Sequence, residues 1–358
     1  MSNLLTTSRL KAARACARLH HIQSVECVRP AVEPEPLRFG TLIHAALEAW
    51  WTAPTAEDRL PAALSALAVE AEPYDRAKAE ALMIGYDARW GDDAAEALAI
   101  EVQFDAPLVN PETGRPSRTW RLGGKIDGII RDPVTGAVLI MEHKTATGDI
   151  APGSDYWRRL RMDTQVSTYY LGAEALGYAV EGCMYDVIGK PALRPSQVPL
   201  VDEDGVKIVH NESGERVRTK DGKKWRQTGD AKEGYALQTR EETPDEYKER
   251  ILADIAENPG KYFQRGEVVR LEDEMTEARV DTWQTAQAIR EAARHGHAPR
   301  NPDACVRWGR TCSYFDVCTG AASIDDPALF TRSVVAHPEL SAAPDAVLTT
   351  PKEEAISW

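Results

Sequence analysis

Apolar positions recur along this chain with two different periods. Over the first ninety residues the period is near 3.6. Leu10, Ala13, Ala17 and His21 predict a helix over 7–24, capped by Thr7 or Ser8. The segment VRPAVEPEPLRFG then reads as a linker. GTLIHAALEAWW resumes helical spacing with Leu42, Ala45, Ala46 and Ala49 facing inward, and two further helices are expected near 57–70 and 74–90. From Ala97 the period falls to two. ALAIEVQFDAPL, TWRLGGKIDGIIRD and GAVLIMEHKTAT read as three successive strands. A helix over 155–176 and a strand at EGCMYDVIGK follow. Residues 195–242 are polar and read as a surface insertion. A Thr-capped helix in ETPDEYKERILADIAEN, a strand at FQRGEVVRLE and a helix over 272–296 complete the periodic part. Residues 321–358 carry little pattern and read as a flexible tail. The order of elements predicts an α/β core with helical decoration.

Composition narrows this picture only slightly. The chain has 358 residues, 43% of them hydrophobic, enough for one large core or two smaller ones. It has no apolar run long enough to span a bilayer and no secretory signal at MSNLLTTSRLKAARACARLHH, so a cytoplasmic location is expected. The formal net charge of −13 argues against a protein that coats nucleic acid with its whole surface. It leaves room for local basic clusters, at Arg158, Arg159 and Arg161 and at Lys220, Lys223, Lys224 and Arg226. Six cysteines in a chain of this size do not suggest an oxidised scaffold, but three of them crowd together near the C-terminus.

Candidate chemistry concentrates in GGKIDGIIRDPVTGAVLIMEHKTATGD, residues 123–149. DPVTG is a strong turn signal. With the turn centred between Val134 and Thr135, Asp127 and Glu142 face each other on paired strands, and Lys144 shares their face. Two carboxylates this close repel, and burial raises the cost. A divalent cation removes that penalty, and the arrangement suits metal-assisted phosphodiester hydrolysis. The competing reading is a buried ion pair between Lys144 and an acid. His44, on the apolar helix after Gly40, offers an imidazole to a metal. Gln165 and Tyr169 are four apart and share a helix face, with Arg158 and Arg161 at the start of the same expected helix, where they could meet phosphates.

Gly40 and His44, Gly124 and Asp127, Glu142 and Lys144, and Gln165 and Tyr169 stand in the order and spacing of the G-x-x-x-H, G-x-x-D, E-x-K and Q-x-x-x-Y motifs. Together they resemble the RecB-like branch of the PD-(D/E)XK nuclease superfamily, and in particular the nucleases of CRISPR adaptation and of phages. The resemblance covers about residues 5–320. It implies a restriction-endonuclease-like core, a mixed central sheet flanked by helices. It implies Mg2+ or Mn2+ held by His44, Asp127, Glu142 and the carbonyl of His143, with Lys144 assisting the attacking water. Gln165 and Tyr169 would help to place the DNA backbone. Glu101, on the first strand, corresponds to an acid often found near such sites.

The stretch NPDACVRWGRTCSYFDVC spaces Cys305, Cys312 and Cys318 as C-x6-C-x5-C. Four thiolates are the usual complement of an iron–sulfur cluster or a structural zinc. Some RecB-like nucleases resemble this layout, with one cysteine in the first helix and three near the C-terminus around a [4Fe–4S] cluster. Ser8, Leu10 and Cys16 fit their N-terminal motif, which makes Cys16 the fourth ligand in preference to Cys27. The commonest spacing in such proteins is C-x2-C-x5-C, so the first gap here is four residues longer. Zinc is the alternative occupant. The cluster would act as a staple joining the two ends of the chain.

These readings divide the chain into an N-terminal helix (1–30) carrying one cluster cysteine, a nuclease core (37–194), the polar insertion (195–242), a C-terminal helical part with the three-cysteine motif (243–320) and the tail (321–358). The expected function is a metal-dependent DNA exonuclease in recombination, repair or phage and mobile-element DNA processing. Its expected partners are DNA and a separate helicase or recombination protein, since the sequence has no Walker A motif. If the chain is phage-encoded, the location becomes the host cytoplasm. Two rival readings are a catalytically inactive, nuclease-derived DNA-binding protein and a redox-regulated iron–sulfur protein.

Overall fold

The switch of period at Ala97 marks the start of the central sheet. The computed structural model describes residues 3–67, 71–307, 309–337 and 340. Its strands are β1 (Leu4–Leu5), β2 (Val28–Pro30), β3 (Glu96–Val109), β4 (Pro116–Arg131), β5 (Val138–Ala146), β6 (Gly182–Gly189), β7 (Gln197–Pro199), β8 (Val209–His210), β9 (Ala236–Leu237), β10 (Thr239–Glu241), β11 (Phe263–Val268), β12 (Val306–Arg307), β13 (Arg310–Thr311) and β14 (Phe330–Arg332). The helices are α1 (Thr7–Ala15), α2 (Ala17–His20), α3 (Glu35–Thr52), α4 (Ala56–Ala66), α5 (Pro73–Trp90), α6 (Asp155–Leu160), α7 (Thr164–Ala175), α8 (Pro244–Glu257), α9 (Pro259–Tyr262), α10 (Glu272–Arg294) and α11 (Phe315–Thr319). One sheet has six strands in the order β1-β4-β5-β6-β11, with β3 on the other edge of β4. β5 and β6 are parallel, as are β1 and β4. The remaining pairs are antiparallel, which makes the sheet mixed.

Alternation along the strands sends side chains into two cores, one on each face. One core joins Val102, Phe104, Ile126, Ile129 and Ile140 to α1, α7 and α10 through Leu10, Val166, Ala173 and Ala286. The other joins Ile100, Ile130, Leu139 and Met141 to α3, α5 and α8 through Ile43, Trp50, Tyr86 and Ile251. Phe104 presses directly on α7. A Cβ at Gly172 would come within 2.6 Å of the Phe104 ring, and one at Gly124 within 2.9 Å, so both positions need the absence of a side chain.

The expected meander is present in the expected register. Gly128 pairs with Met141 and Arg131 with Val138, so the hairpin is centred between Val134 and Thr135. Asp132 builds the turn: its Oδ1 accepts the N–H groups of Val134 and Thr135, and Gly136 takes φ +76°.

Several sequence expectations need correction. The helix expected over 7–24 breaks at Cys16, which is extended (φ −164°, ψ 122°), and Thr6 caps it rather than Thr7 or Ser8. The break is tolerated because residues 299–301 take up the freed groups. The Asn301 side chain donates to Ala15 O at 2.8 Å, and Arg18 N–H donates to Pro299 O at 3.1 Å. Helix α3 starts at Glu35, inside the expected linker, and places Gly40 within the helix. Its buried residues are Phe39, Ile43, Ala46, Leu47, Trp50 and Trp51, with Leu42 packed against them at their edge, so Ala45 and Ala49 are not its core face. The large aromatic pair at its C-terminal end sets the rotation, which alanine counting cannot show. The helix expected over 155–176 is two, because Asp163 starts a new one by accepting Gln165 N–H at 3.0 Å. Part of the expected tail is ordered: β14 pairs with β2, and Phe330 stacks on Tyr314. Residues 68–70 of the helix expected near 57–70, and 338–339 and 341–358 of the tail, lie outside the described residues.

Candidate active site

The sheet forks where the acids stand. One edge of β4 pairs with β1 at Arg121–Leu122 and with β5 from Gly128 onward. Between these ladders lies the stretch from Gly123 to Asp127. The Asp127 carboxylate bridges the gap, its Oδ2 accepting the His143 N–H at 2.9 Å. That bond replaces the next rung of the β4–β5 ladder and holds a charged group against a strand edge.

Glu101 reaches the same point from β3. Ile100 pairs with Gly128 and Val102 with Ile126, so Glu101 stands across from Asp127. It adopts φ +51°, a left-handed conformation that is costly for a residue with a Cβ. His44 comes from α3, its Nδ1 3.7 Å from Asp127 Oδ1. One ligand atom from each of His44, Glu101 and Asp127 lies within 4.8 Å of the others. Burial and the neighbouring Asp127 charge push the Glu101 carboxyl up to about 7, against the pull of the Lys125 ammonium that pairs with it. Burial lowers the pKa of His44, which keeps its ring neutral and able to ligate.

Glu142, Lys144, Gln165 and Tyr169 form a second cluster on the α7 side. Glu142 Oε1 pairs with the Lys144 ammonium and accepts from Gln165 Nε2 at 2.7 Å. Gln165 Nε2 also donates to the Tyr169 hydroxyl at 2.9 Å, and Gln165 Oε1 accepts from Lys144 at 3.2 Å and from Lys11 at 3.5 Å. Gln165 is therefore the hub that fixes both charged partners. Glu142 Oε2 is buried and has no hydrogen-bond partner among the described residues. Burial and the Asp127 charge push the Glu142 carboxyl up to about 8. Burial pulls the Lys144 pKa down, but the charges of Glu142 and Asp127 outweigh it and leave it raised.

A family comparison decides what this constellation belongs to. The family model described as PD-(D/E)XK nuclease superfamily matches residues 4–319. The chain belongs to the PD-(D/E)XK nuclease superfamily. No curated protein matches it. A solved structure described as "Crystal structure of SSO0001" is similar at 16% identity, over 53% of this chain and 64% of that one, with a TM-score of 0.24. That likeness is too slight to carry an argument.

For a superfamily member, the positions of the other expected residues are informative. The His143 side chain turns away from the acids. It stands 3.3 Å from Asp186 Oδ2 and packs edge-on to His44, with ring centroids 6.2 Å apart. Asp186 is fully buried. It also accepts the Tyr86 hydroxyl and faces Arg265, whose charge holds its carboxyl down at about 2 despite burial. Arg158 and Arg159 are exposed on α6 and line a cleft of 500 Å³ with Thr147, Asp149 and Tyr156. Arg161 sits in the turn before α7 and does not line that cleft. Glu101 is the acid expected near the site from the first strand, whereas Lys11, Lys125 and Asp186 belong to no motif of the sequence. Asp186 alone carried a signal, as the single charge in the apolar strand GCMYDVIG.

Away from the fork, the break at Cys16 meets the C-terminal cysteines. Asn301 N–H points to Cys16 Sγ at 3.4 Å, Cys305 Sγ to Asn301 O at 3.6 Å, and Cys312 N–H to Cys305 O at 2.8 Å. Burial raises the Cys318 thiol, and its neighbours Cys312, Cys16 and Cys305 raise it further, so the four sulfurs sit within electrostatic reach of one another. A cleft of 680 Å³ opens beside Cys305 and Cys318. Cys183 is buried in β6.

Proposed function

We propose that the chain is a metal-dependent deoxyribonuclease that hydrolyses phosphodiester bonds from the ends of DNA. The observation that carries this reading is the convergence of His44, Glu101 and Asp127 at the sheet fork, beside Glu142 and Lys144. Mg2+ or Mn2+ suits the donor set, which is oxygen-rich with one neutral imidazole. The partnerless Glu142 Oε2 and the strained backbone of Glu101 both fit a site completed by a cation. His44, Glu101, Asp127 and Glu142 would hold it, with the His143 carbonyl as a further oxygen donor. Such a cation makes a water acidic enough to attack at neutral pH and neutralises charge on phosphate oxygens.

The protein groups do the rest. Lys144 holds its ammonium beside the scissile phosphate and orients the attacking water. Gln165 keeps Lys144 and Glu142 in place, and Tyr169 closes the buried side of that cluster. Arg158, Arg159 and Arg161 meet backbone phosphates by charge, without reading sequence. The four cysteines are assigned to a [4Fe–4S] staple that ties residues near 16 to residues 305–318. Their thiols suit soft metals. Among the described residues, the ligand atoms gathered within 4.8 Å are those of His44, Glu101 and Asp127.

The test is digestion of end-labelled linear DNA, single- and double-stranded, beside a closed circle, with Mg2+, Mn2+ or chelator. Wild type should degrade linear DNA only with metal. Lys144→Ala should lose at least about a hundredfold in rate while remaining folded. Wild-type protein that cleaves no DNA with either metal would refute the reading.

A further inference from the structure

The insertion between β6 and α8 holds the most concentrated positive charge in this acidic chain. Residues 216–226, RVRTKDGKKWR, contain six cations and one acid in a protein of net charge −13. They form a hairpin in which Arg218 bridges Trp225 and Thr219 N–H bonds to Lys224 O at 2.8 Å. The one acid is spent on the turn: Asp221 Oδ1 accepts the Thr219 hydroxyl and, at 3.2 Å, the Lys223 N–H, while Gly222 takes φ +68°. Arg216 pairs with Asp202, and Arg226 with Glu233. Lys220 is 89% exposed and 3.8 Å from Glu233, a separation at which water screens the pair. Arg218, Lys223 and Lys224 are exposed, and among the described residues no acid lies within salt-bridge distance of them.

Trp225 gives this charge its form. The Arg216 and Arg218 guanidinium carbons lie 4.4 and 4.2 Å from its ring centroid. Stacking fixes the two arginines and raises the local field. It also leaves little bare ring for a nucleobase to stack on. A ligand of this hairpin must therefore be recognised by charge, through anionic groups repeated along a chain.

The root of the insertion lies at the active-site end of the sheet. β6 runs parallel to β5 with Gly189 beside Ala146, two residues beyond Lys144, and Lys190 N–H donates to Ala146 O at 2.7 Å. The neck is firm. β7 pairs with β10, and the buried Glu242 carboxylate accepts from Ser196 and Arg250. We propose that the 216–226 hairpin is a second contact for DNA, a sequence-independent grip on the phosphate backbone outside the catalytic fork. This rests on the nuclease reading.

The test compares wild type with the triple variant Lys220→Gln, Lys223→Gln, Lys224→Gln, and with the matching triple Lys→Arg variant. Binding to labelled linear DNA is measured in chelator over a series of salt concentrations, with cleavage in Mn2+ scored in parallel. The glutamine variant should bind about tenfold more weakly at low salt. Its plot of log affinity against log salt should flatten by about two to three units, and the arginine variant should match wild type. If wild type cleaves and both variants bind as it does, the hairpin assignment is overturned and the nuclease reading stands. A wild type that binds but never cleaves removes the nuclease reading, while the salt slope still decides the hairpin. A wild type that neither binds nor cleaves overturns both.

Discussion

Loading the fork with a divalent cation should release protons, and its affinity should climb steeply with pH. The cause is burial of Glu101 and Glu142, reinforced by the neighbouring Asp127 charge, which together lift their carboxyls to about 7 and about 8. A carboxyl must ionise before it ligates. Glu101 is about one-tenth ionised at pH 6 and about nine-tenths at pH 8, so its participation alone raises the apparent affinity roughly tenfold over that range. Burial and the Asp127 charge raise Glu142 as well, so if it also ligates the rise becomes steeper still. The slope thus counts the acids that touch the metal.

The same shifts fix the sign of the metal-free stability. Both folded pKa values are raised, so their contribution is fully present below about pH 4.5 and is lost as pH rises through 7 and 8. For Glu101 the loss is on the order of 3 kcal/mol at most. Melting of the metal-free protein should therefore fall between pH 5 and pH 9, and Mn2+ should restore more at pH 8 than at pH 6. Calorimetric titration with Mn2+ in buffers of different ionisation enthalpy reads the protons released directly. Affinity that is flat from pH 6 to pH 8, with no proton release, would show that the acids do not hold the metal. Asp127→Asn should weaken Mn2+ binding and make the pH slope shallower, with the part due to burial of Glu101 and Glu142 remaining.

Other perturbations test separate parts of the molecule. Gly172→Val should cost about 1–3 kcal/mol in urea unfolding, because Phe104 must move to admit the side chain; an unchanged midpoint would mean that α7 does not press on the sheet as described. Asp186→Asn should cost about 3 kcal/mol by leaving His143 and Arg265 facing a neutral group. The wild-type Asp186 carboxyl is depressed, so its stabilisation is present above about pH 4 and is lost as pH falls toward 2; the asparagine variant should lose that acid sensitivity, which melts at pH 2 to 5 would read out. Cys312→Ser should lower the iron bound per chain and the melting temperature together, and iron content equal to wild type would sink the cluster assignment.

The fold was legible where periodicity is strong, and the β4–β5 hairpin was legible down to its register. DPVTG leaves one way to turn, and alternation on both sides fixes which residues face each other. Helix breaks were not legible. Cys16 interrupts a helical pattern because residues 299–301, nearly three hundred positions away, supply the missing hydrogen bonds. Strand β2 is three residues long and is held by β14, again a distant partner. At the site, the motif residues found one another, but Glu101 could not be placed from spacing alone. Its side chain reaches Asp127 through a positive φ that a strand pattern does not predict. Asp186 and Arg265 sit on different strands, and only the β6–β11 pairing brings them together.

The fork explains why so many costs gather at one place. A continuous β4–β5 ladder would satisfy the His143 N–H with a backbone carbonyl and bury the strands in apolar side chains. Here the ladder gives way, and a carboxylate takes the N–H instead. That substitution brings a charge into the centre of the sheet, and the second and third acids compound it. The remaining structure is arranged to tolerate the conflict. Lys125 and Lys144 offset two of the acids, Gln165 uses its whole amide to hold Glu142 and Lys144, and Asp186 with Arg265 stiffens β5 from the opposite face. A purely structural ion pair would need one acid for each lysine. The fork has one acid more than it has lysines, together with a carboxylate oxygen that has no partner and a residue in a strained conformation. That surplus of negative charge is what a bound cation would neutralise, and it favours the proposed metal site over a buried salt bridge.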